Sequence, residues 1–442
     1  MGRLHDIFSA YAASSAARFH MPGHKGRGGF FELSSCDDLT ELPFTDNLND
    51  PSPGGPIREL EARVARCVAR GGAGALISCS GTTLLVQTVI AHMAMIWPAG
   101  EKYLLCGRTC HYSVINAMAL CGVEPLWVTD WENPDFDGAF RTVQNGKIIG
   151  AFVTSPDYYG RMADVARISR LCKAHGIALA VDNAHGAHLA FHGGGSLHPI
   201  NLGAAYSVDS AHKTLPVMGG AAYLLYAERS REDGLRAAAR LFATSSPSFA
   251  ILNSLDRTFD RIEAAGGALH AELLGRVEKF KGIARAAGFK FDDRGLRDPY
   301  RIVLHTPDIG YTGQELYDAL MERGVCCEFH DGVDVVLIPS VANTSGDFGK
   351  LEAAVGSLTR KEPYTVAPPV EPPLPERAMP LREAAFAPCE AVTPKDSVGR
   401  ICARSVYAYP PGTPVLVPGE RIAPEQAAFF EGKHERIYVV KE

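Results

Sequence analysis

The 442-residue chain contains no apolar window approaching the roughly 20 residues needed to cross a bilayer. Its first residues, MGRLHDIFSAYAAS, lack the apolar core of a signal peptide, so a soluble, cytoplasmic protein is expected. A surplus of one charge is missing too: 44 Lys and Arg against 50 Asp and Glu leave a net −6. That balance gives no reason to expect a nucleic-acid footprint or an anionic-membrane partner. The 11 cysteines form no C-x-x-C pair, so neither a zinc ribbon nor a thioredoxin-type motif is indicated. An odd number of cysteines, thinly spread, fits free and mostly buried thiols in a reducing compartment. Internal repeats and low-complexity segments are likewise lacking.

What is present is ordinary for a globular enzyme, with 46% hydrophobic and 21% charged residues. The length exceeds one simple core and implies a large domain with one or two smaller ones. From about residue 57, helical patterns alternate with the short apolar runs ALISCS, KYLLC, EPLWVT, KIIGAFVT and IALAVD. Such alternation predicts an α/β fold with a mostly parallel sheet covered on both faces. AAYSVDS and GGAAYLLY read as two more strands, with SAHKTLP turning between them. A long helical stretch after Ala250 leaves the sheet. YRIVLHT, GVCCEF and DVVLIP, with the helix GQELYDALMERG among them, then suggest a small α+β domain. EPYTVAPPVEPPLPERAMP is a proline-dense strap, and the apolar content of YPPGTPVLVPGE requires that it pack on something.

The chemistry centres on Lys213, in Ser210-Ala211-His212-Lys213-Thr214-Leu215-Pro216. A lone lysine at a strand end is usually solvated; the company of this one is unusual. Asp182 leaves the strongly apolar strand IALAVD, which is costly for a carboxylate without a charged or hydrogen-bonding partner. A protonated pyridine nitrogen is such a partner, and it would keep the ring cationic as an electron sink. Ser80-Gly81-Thr82-Thr83 sits between a strand and a helix, where free N–H groups and the helix dipole favour a phosphate. By itself this is more simply an N-cap. Ser210 and His212 offer further phosphate donors. His111, after another apolar run, suits stacking on a pyridine face, although a loop histidine is more often structural. His185, His188 and His192 have mixed spacing with only Asp182 near, so no metal site is expected. RGGAG at 70–74 follows a helix rather than a strand, which rules out a dinucleotide fingerprint.

Taken in order, these residues resemble the Orn/Lys/Arg decarboxylases, in their short bacterial form, of the aspartate-aminotransferase fold (fold type I pyridoxal-phosphate enzymes). The likeness runs through FHMPGHKG at 19–26, LTEL at 39–42, DNL at 46–48, SGTT at 80–83 and CHYS at 110–113. It continues through TSPDYYG at 154–160, DNAHGAH at 182–188, SAHKTLP at 210–216, TSSPSF at 244–249, GRI at 399–401 and YPPG at 409–412. The resemblance implies a Schiff base to pyridoxal 5'-phosphate on Lys213, Asp182 at the pyridine nitrogen, His111 stacked on the ring and His185 close to it. Gly81, Thr82, Ser210 and His212 would hold the phosphate, with Ser80 and Thr83 in the same turn. Ser245 and Ser246 resemble a loop that reaches the phosphate of a neighbouring subunit, implying a homodimer or a higher even homo-oligomer with active sites at the subunit interface. The implied organisation is an arm over 1–50, a cofactor-binding large domain over 51–260, a small α+β domain over 261–362, and a strap with a C-terminal domain over 363–442.

The implied reaction is decarboxylation of arginine, lysine or ornithine to the amine and CO2, a step of polyamine biosynthesis. Lys213 or His212 would return the proton to the α-carbon. Asp38, Glu41, Asp46 and Glu420 are candidates for reading the basic end of the substrate, each also readable as a surface carboxylate. Asn183 stands where the family commonly has Glu, Phe249 replaces a frequent Tyr, and Met218-Gly219-Gly220 replaces a more polar turn. Rival readings are another reaction on the same fold, aminotransfer or elimination, and a non-catalytic family member. The first would usually want an arginine clamp for the substrate carboxylate. The second is at odds with the joint presence of Lys213, Asp182 and His111.

Overall fold

The computed structural model describes residues 16–21, 23, 25, 55–245, 247–292, 294–366, 372–408 and 412–441. The first strand, β1 (Ala17–Phe19), pairs far along the chain. The apolar runs then become β2 (Gly74–Ser78), β3 (Glu101–Gly107), β4 (Val123–Val128), β5 (Gly146–Thr154), β6 (Ala178–Asp182), β7 (Tyr206–Asp209) and β8 (Ala222–Tyr226). These form one seven-stranded sheet in the order β2-β8-β7-β6-β5-β3-β4. Only β8 runs antiparallel to its neighbours. Strands β2 to β7 therefore point the same way, and their C-terminal ends share one edge.

Helices α1 (Pro56–Val68), α2 (Gly81–Ile96), α3 (Tyr112–Cys121) and α4 (Val165–Ala174) cover the two faces. Successive strand residues point to opposite faces. Thus Leu104, Phe152 and Leu224 meet Val89 and Met93 of α2 and Val114 of α3. Their neighbours Leu105 and Val153 meet Ile168 of α4, while Tyr223 and Leu225 meet Leu60 and Val64 of α1. Between β7 and β8, the expected turn contains one turn of helix, α5 (Ala211–Thr214), because the Leu215 N–H closes back on the Ala211 carbonyl.

The 38-residue helix α6 (Phe249–Ala286) serves two cores. Leu252, Leu255 and Phe259 pack under the sheet, and Leu273, Val277 and Phe280 pack into the following unit. The expected boundary at residue 260 falls inside this helix. The following unit contains β9 (Ile302–His305), α7 (Gly313–Glu322), β10 (Val325–Cys327), β11 (Phe329–His330), β12 (Asp334–Leu337) and α8 (Ser345–Gly356). β9, β12 and β11 form an antiparallel sheet, and β1 pairs in parallel with β10. The proline-rich tail is packed: Val417 joins the sheet core, and Arg108 donates to the carbonyls of Pro414 and Val415. Among the described residues, no helix is long and apolar enough to cross a membrane.

Candidate active site

The ends of the parallel strands bring the predicted residues together. Strand β7 delivers Ser210 and the turn α5, which presents a half-buried Lys213. Its Nζ lies 3.1 Å from His185 Nε2 and 6.0 Å from the centre of the Tyr158 ring. Burial lowers the pKa of Lys213 and Arg301 adds to this, while Asp182 and Glu328 oppose it. His185, three residues past the end of β6, is buried and held well below its ordinary pKa by burial and then by the charges of Lys213 and Arg301. As a neutral ring it accepts from the amine at Nε2, and its Nδ1 is buried with no partner among the described residues. The Tyr158 ring leans against it at 4.4 Å.

Asp182 closes β6 and is buried. One oxygen accepts the Ala184 N–H at 3.1 Å. Burial raises its pKa, against the attraction of Lys213 and with a further push from Asp209. At the start of α2, Thr82 Oγ1 stands 2.9 Å from Ser210 Oγ, so two hydroxyls from separate elements converge. Gly81 is needed there for its backbone, with φ at +68° and its N–H bonded to the Gly220 carbonyl. Ser80 is the exposed N-cap and Thr83 follows in the first turn. His212 donates from Nδ1 to the Ala221 carbonyl at 3.0 Å, and burial lowers its pKa.

His111 caps α3, with Nδ1 facing Ser113 Oγ at 2.8 Å. Its ring remains open to the cleft. The surrounding protein pushes its pKa down to about 4, and the charge of Lys213 adds to the shift. Ser245 lies exposed on the turn into α6. Ser246, Asp38, Glu41 and Asp46 lie outside the described residues.

Glu420 is neither a pocket residue nor a surface carboxylate, because its oxygens meet Arg108 at 2.5 and 2.7 Å and its side chain is buried. The other histidines of the HGAHLAFH cluster point elsewhere: His188 to Asp298 and His192 to Tyr300.

Sequence reasoning assigned no role to Glu328, Tyr158 or Arg301. Glu328 accepts the Met21 N–H at 2.6 Å and the Tyr158 hydroxyl at 3.4 Å. Arg301 donates to the carbonyls of Tyr158 and His185. His20, Met21, Gly23 and Lys25 of the N-terminal motif are also near the site. Gly23 donates to the His212 carbonyl at 2.7 Å, and a Cβ on it would sit 2.3 Å from the Leu215 carbonyl oxygen. Lys25 is buried against the carbonyls of His20 and Ile338, and burial lowers its pKa to about 7. The one available signal was the motif itself, whose glycine and proline mark a turn without saying what it packs on.

This constellation can be set against known proteins. Residues 3–292 match the family model described as Orn/Lys/Arg decarboxylase, major domain, and residues 372–432 match that family's C-terminal domain. The chain belongs to the Orn/Lys/Arg decarboxylase family. An arginine decarboxylase of Halalkalibacterium halodurans is 28% identical to it over 470 residues, covering 95% of this chain and 91% of the relative. The structure of the Escherichia coli constitutive lysine decarboxylase aligns with a TM-score of 0.73 at 17% identity, covering 100% of this chain and 78% of that one. A structure described as SPT with PLP aligns at 0.58 and 13% identity, covering 77% of this chain and 87% of that one. The architecture is that of fold type I, and this family member is a pyridoxal-phosphate-dependent amino-acid decarboxylase.

The residues fit that cofactor. A buried carboxylate raised by burial calls for a cationic partner. The His185 Nδ1 is an orphaned buried atom, and the Thr82 and Ser210 hydroxyls converge at the N-terminus of a 16-residue helix, where an anion is favoured.

Proposed function

We propose that this decarboxylase acts on a basic L-amino acid, with arginine the first substrate to test, and that Lys213 carries its cofactor. The observation that carries the reading is the Lys213 amine, 3.1 Å from a neutral His185, with Asp182 and Glu328 both acting on its charge. Lys213 would hold the aldehyde carbon covalently, Asp182 the pyridine nitrogen, and His111 a ring face. Thr82, Ser210, His212 and the backbone at Gly81 would hold the phosphate, with Ser80 and Thr83 beside them and Ser245 and Ser246 reaching across to a partner. When bound, pyridoxal phosphate supplies the sink for the electron pair left on the α-carbon as CO2 departs.

The protein's own contribution is charge and position. A depressed Lys213 keeps a larger neutral fraction, which is the nucleophilic form. With His212 tied by Nδ1 to Ala221, the Lys213 amine, beside His185, would be the group to return a proton to the α-carbon. A neutral His111 can lie against a cationic ring without repelling it. The acidic end of the pocket would fall to Glu328, whose charge acts on Lys213 and which also borders a cavity of about 320 Å³ lined by His20, Met21 and Tyr317. A carboxylate fixed by a backbone N–H and a tyrosine hydroxyl suits a guanidinium or ammonium. The arginine name of the Halalkalibacterium relative puts the guanidinium first.

Aminotransfer is disfavoured by Arg301. Both its terminal nitrogens donate to backbone carbonyls rather than standing ready for a substrate carboxylate. We also take the enzyme to be a cytoplasmic homodimer that feeds polyamine synthesis, which light scattering on the purified protein tests for the dimer.

The deciding experiment incubates protein and cofactor separately with arginine, lysine and ornithine, and identifies products by mass spectrometry. Agmatine as the main product supports the reading. Cadaverine or putrescine alone moves the substrate, and no amine from any of the three overturns the decarboxylation of basic amino acids.

A further inference from the structure

Behind the site lies a buried assembly that the reaction does not use directly. The segment 296–301 is laid along the loop that follows β5: Leu296 and Arg297 pair antiparallel with Met162 and Arg161, and the Asp298 N–H donates to the Gly160 carbonyl at 2.8 Å. Gly160, at φ +80°, leaves room for this, since a Cβ there would lie 2.7 Å from the Arg301 Cβ. The Arg301 side chain is only 2% exposed. One terminal nitrogen donates to the Tyr158 carbonyl at 3.2 Å and the other to the His185 carbonyl at 3.3 Å. Those carbonyls belong to different loops, one after β5 and one after β6. Asp298 stands behind, 3.7 Å from the guanidinium, and accepts from His188 Nε2 at 3.0 Å and from the Tyr300 N–H at 2.9 Å.

We infer that Arg301, set by Asp298, is a positioning residue for the decarboxylation: it ties the two loops together and fixes His185 and Tyr158 beside Lys213. This rests on the proposed site at Lys213. A planar fork with divergent donors holds two carbonyls at once, which a lysine ammonium cannot do with the same fixed geometry. The charge is part of the device. The groups that act on Lys213 are Asp182 at the end of β6, Glu328 between β10 and β11, and Arg301. The His185 ring touches its amine, and His111 feels its charge. Asp298 partly neutralises Arg301 from the far side. Burial opposes it, yet His188 and Arg301 hold its pKa down to about 2, so it stays a carboxylate.

The test compares Arg301→Lys, Arg301→Gln and Asp298→Asn as holoenzymes, by steady-state kinetics and by pH titration of the visible band of the lysine-bound cofactor. Arg301→Lys keeps the charge and loses the fork: kcat should fall about tenfold or more with KM within about threefold, and the band's pKa should barely move. Arg301→Gln removes a positive charge and should raise that pKa by about one unit; Asp298→Asn removes a negative one and should lower it. Loosening of structure alone would move both in one direction. Wild-type kcat in Arg301→Lys, or shifts of the same sign in the other two, would overturn the role. If Arg301→Gln does not fold, a fall in the band's pKa in Asp298→Asn together with the kcat loss in Arg301→Lys supports it. A wild-type protein with no visible band overturns the site itself, whereas a normal wild-type band with unmoved variants overturns only Arg301.

Discussion

Two carboxylates end neighbouring strands of the same sheet, and they live differently. Asp209, at the end of β7, is fully buried and well supplied: His198 Nε2 and Ser207 Oγ donate to it at 2.8 Å, and so does the Asn183 amide. Asp182, at the end of β6, is buried but slightly more open, 4% exposed against 0%, and among the described residues it accepts the Ala184 N–H. A buried charge is tolerated when its lone pairs are filled. Asp209 has therefore been completed by the fold, whereas Asp182 keeps room for the cationic partner proposed for it. On the proposed reading, stability falls to Asp209 and function to Asp182, at the ends of neighbouring strands.

The strongest way to break this comparison is to remove the lysine whose charge Asp182, and not Asp209, acts on. Lys213→Ala should abolish turnover and the visible band; a retained band would show that another residue holds the cofactor. Asp182→Asn should lower kcat by about a hundredfold or more while protein folding is kept, since a preorganised charge in a dry site is lost. Asp209→Asn should behave in the opposite way. Chemical denaturation is expected to show a loss of about 3 kcal/mol, from stripping a buried charge out of its donor set, with kcat changed only a few-fold. Thr82→Ala should weaken cofactor binding about tenfold, measured by titrating cofactor-free protein, because one of two converging hydroxyls is gone.

The smallest effect is the most diagnostic. Because burial raises the folded pKa of Asp182, its ionisation costs folding free energy as pH rises from the ordinary carboxylate value through the raised one. Cofactor-free Asp182→Asn should then match wild type near pH 3 and exceed it by about 1 kcal/mol at neutral pH. Equal stability of variant and wild type at neutral pH would mean that Asp182 is already satisfied.

Much of the fold was legible because it is written locally. Every strand of the large sheet overlaps one of the quoted apolar runs, and the helix beginning at Gly81 follows its run directly. Asp182 stood out as a charge closing an apolar run, and Lys213 stood out only through the motif SAHKTLP that follows the strand ending at Asp209. Glu328 was not legible. It sits on an unremarkable stretch, GVCCEF, and its importance comes from Met21 and from Tyr158, 170 residues away. Arg301 reads as any charged residue entering a strand until its carbonyl partners are seen. Glu420 was misjudged because nothing near it in sequence announces Arg108, which lies 312 residues off. SAHKTLP was read as a plain turn, since four residues of helix leave no periodicity to detect.

The pairing of β1 with β10 has a consequence for how the molecule is made. Met21 meets Glu328 across 307 residues, so the strand Ala17–Phe19 waits for about as many further residues before its partner exists. At ribosomal speeds of about 5–20 residues per second, that is tens of seconds with an apolar edge unpaired. A message truncated before Val325 leaves that strand without its partner and Met21 without Glu328. Copies truncated there would lack Glu328 beside the proposed site and would leave the edge of Ala17–Phe19 without its partner strand.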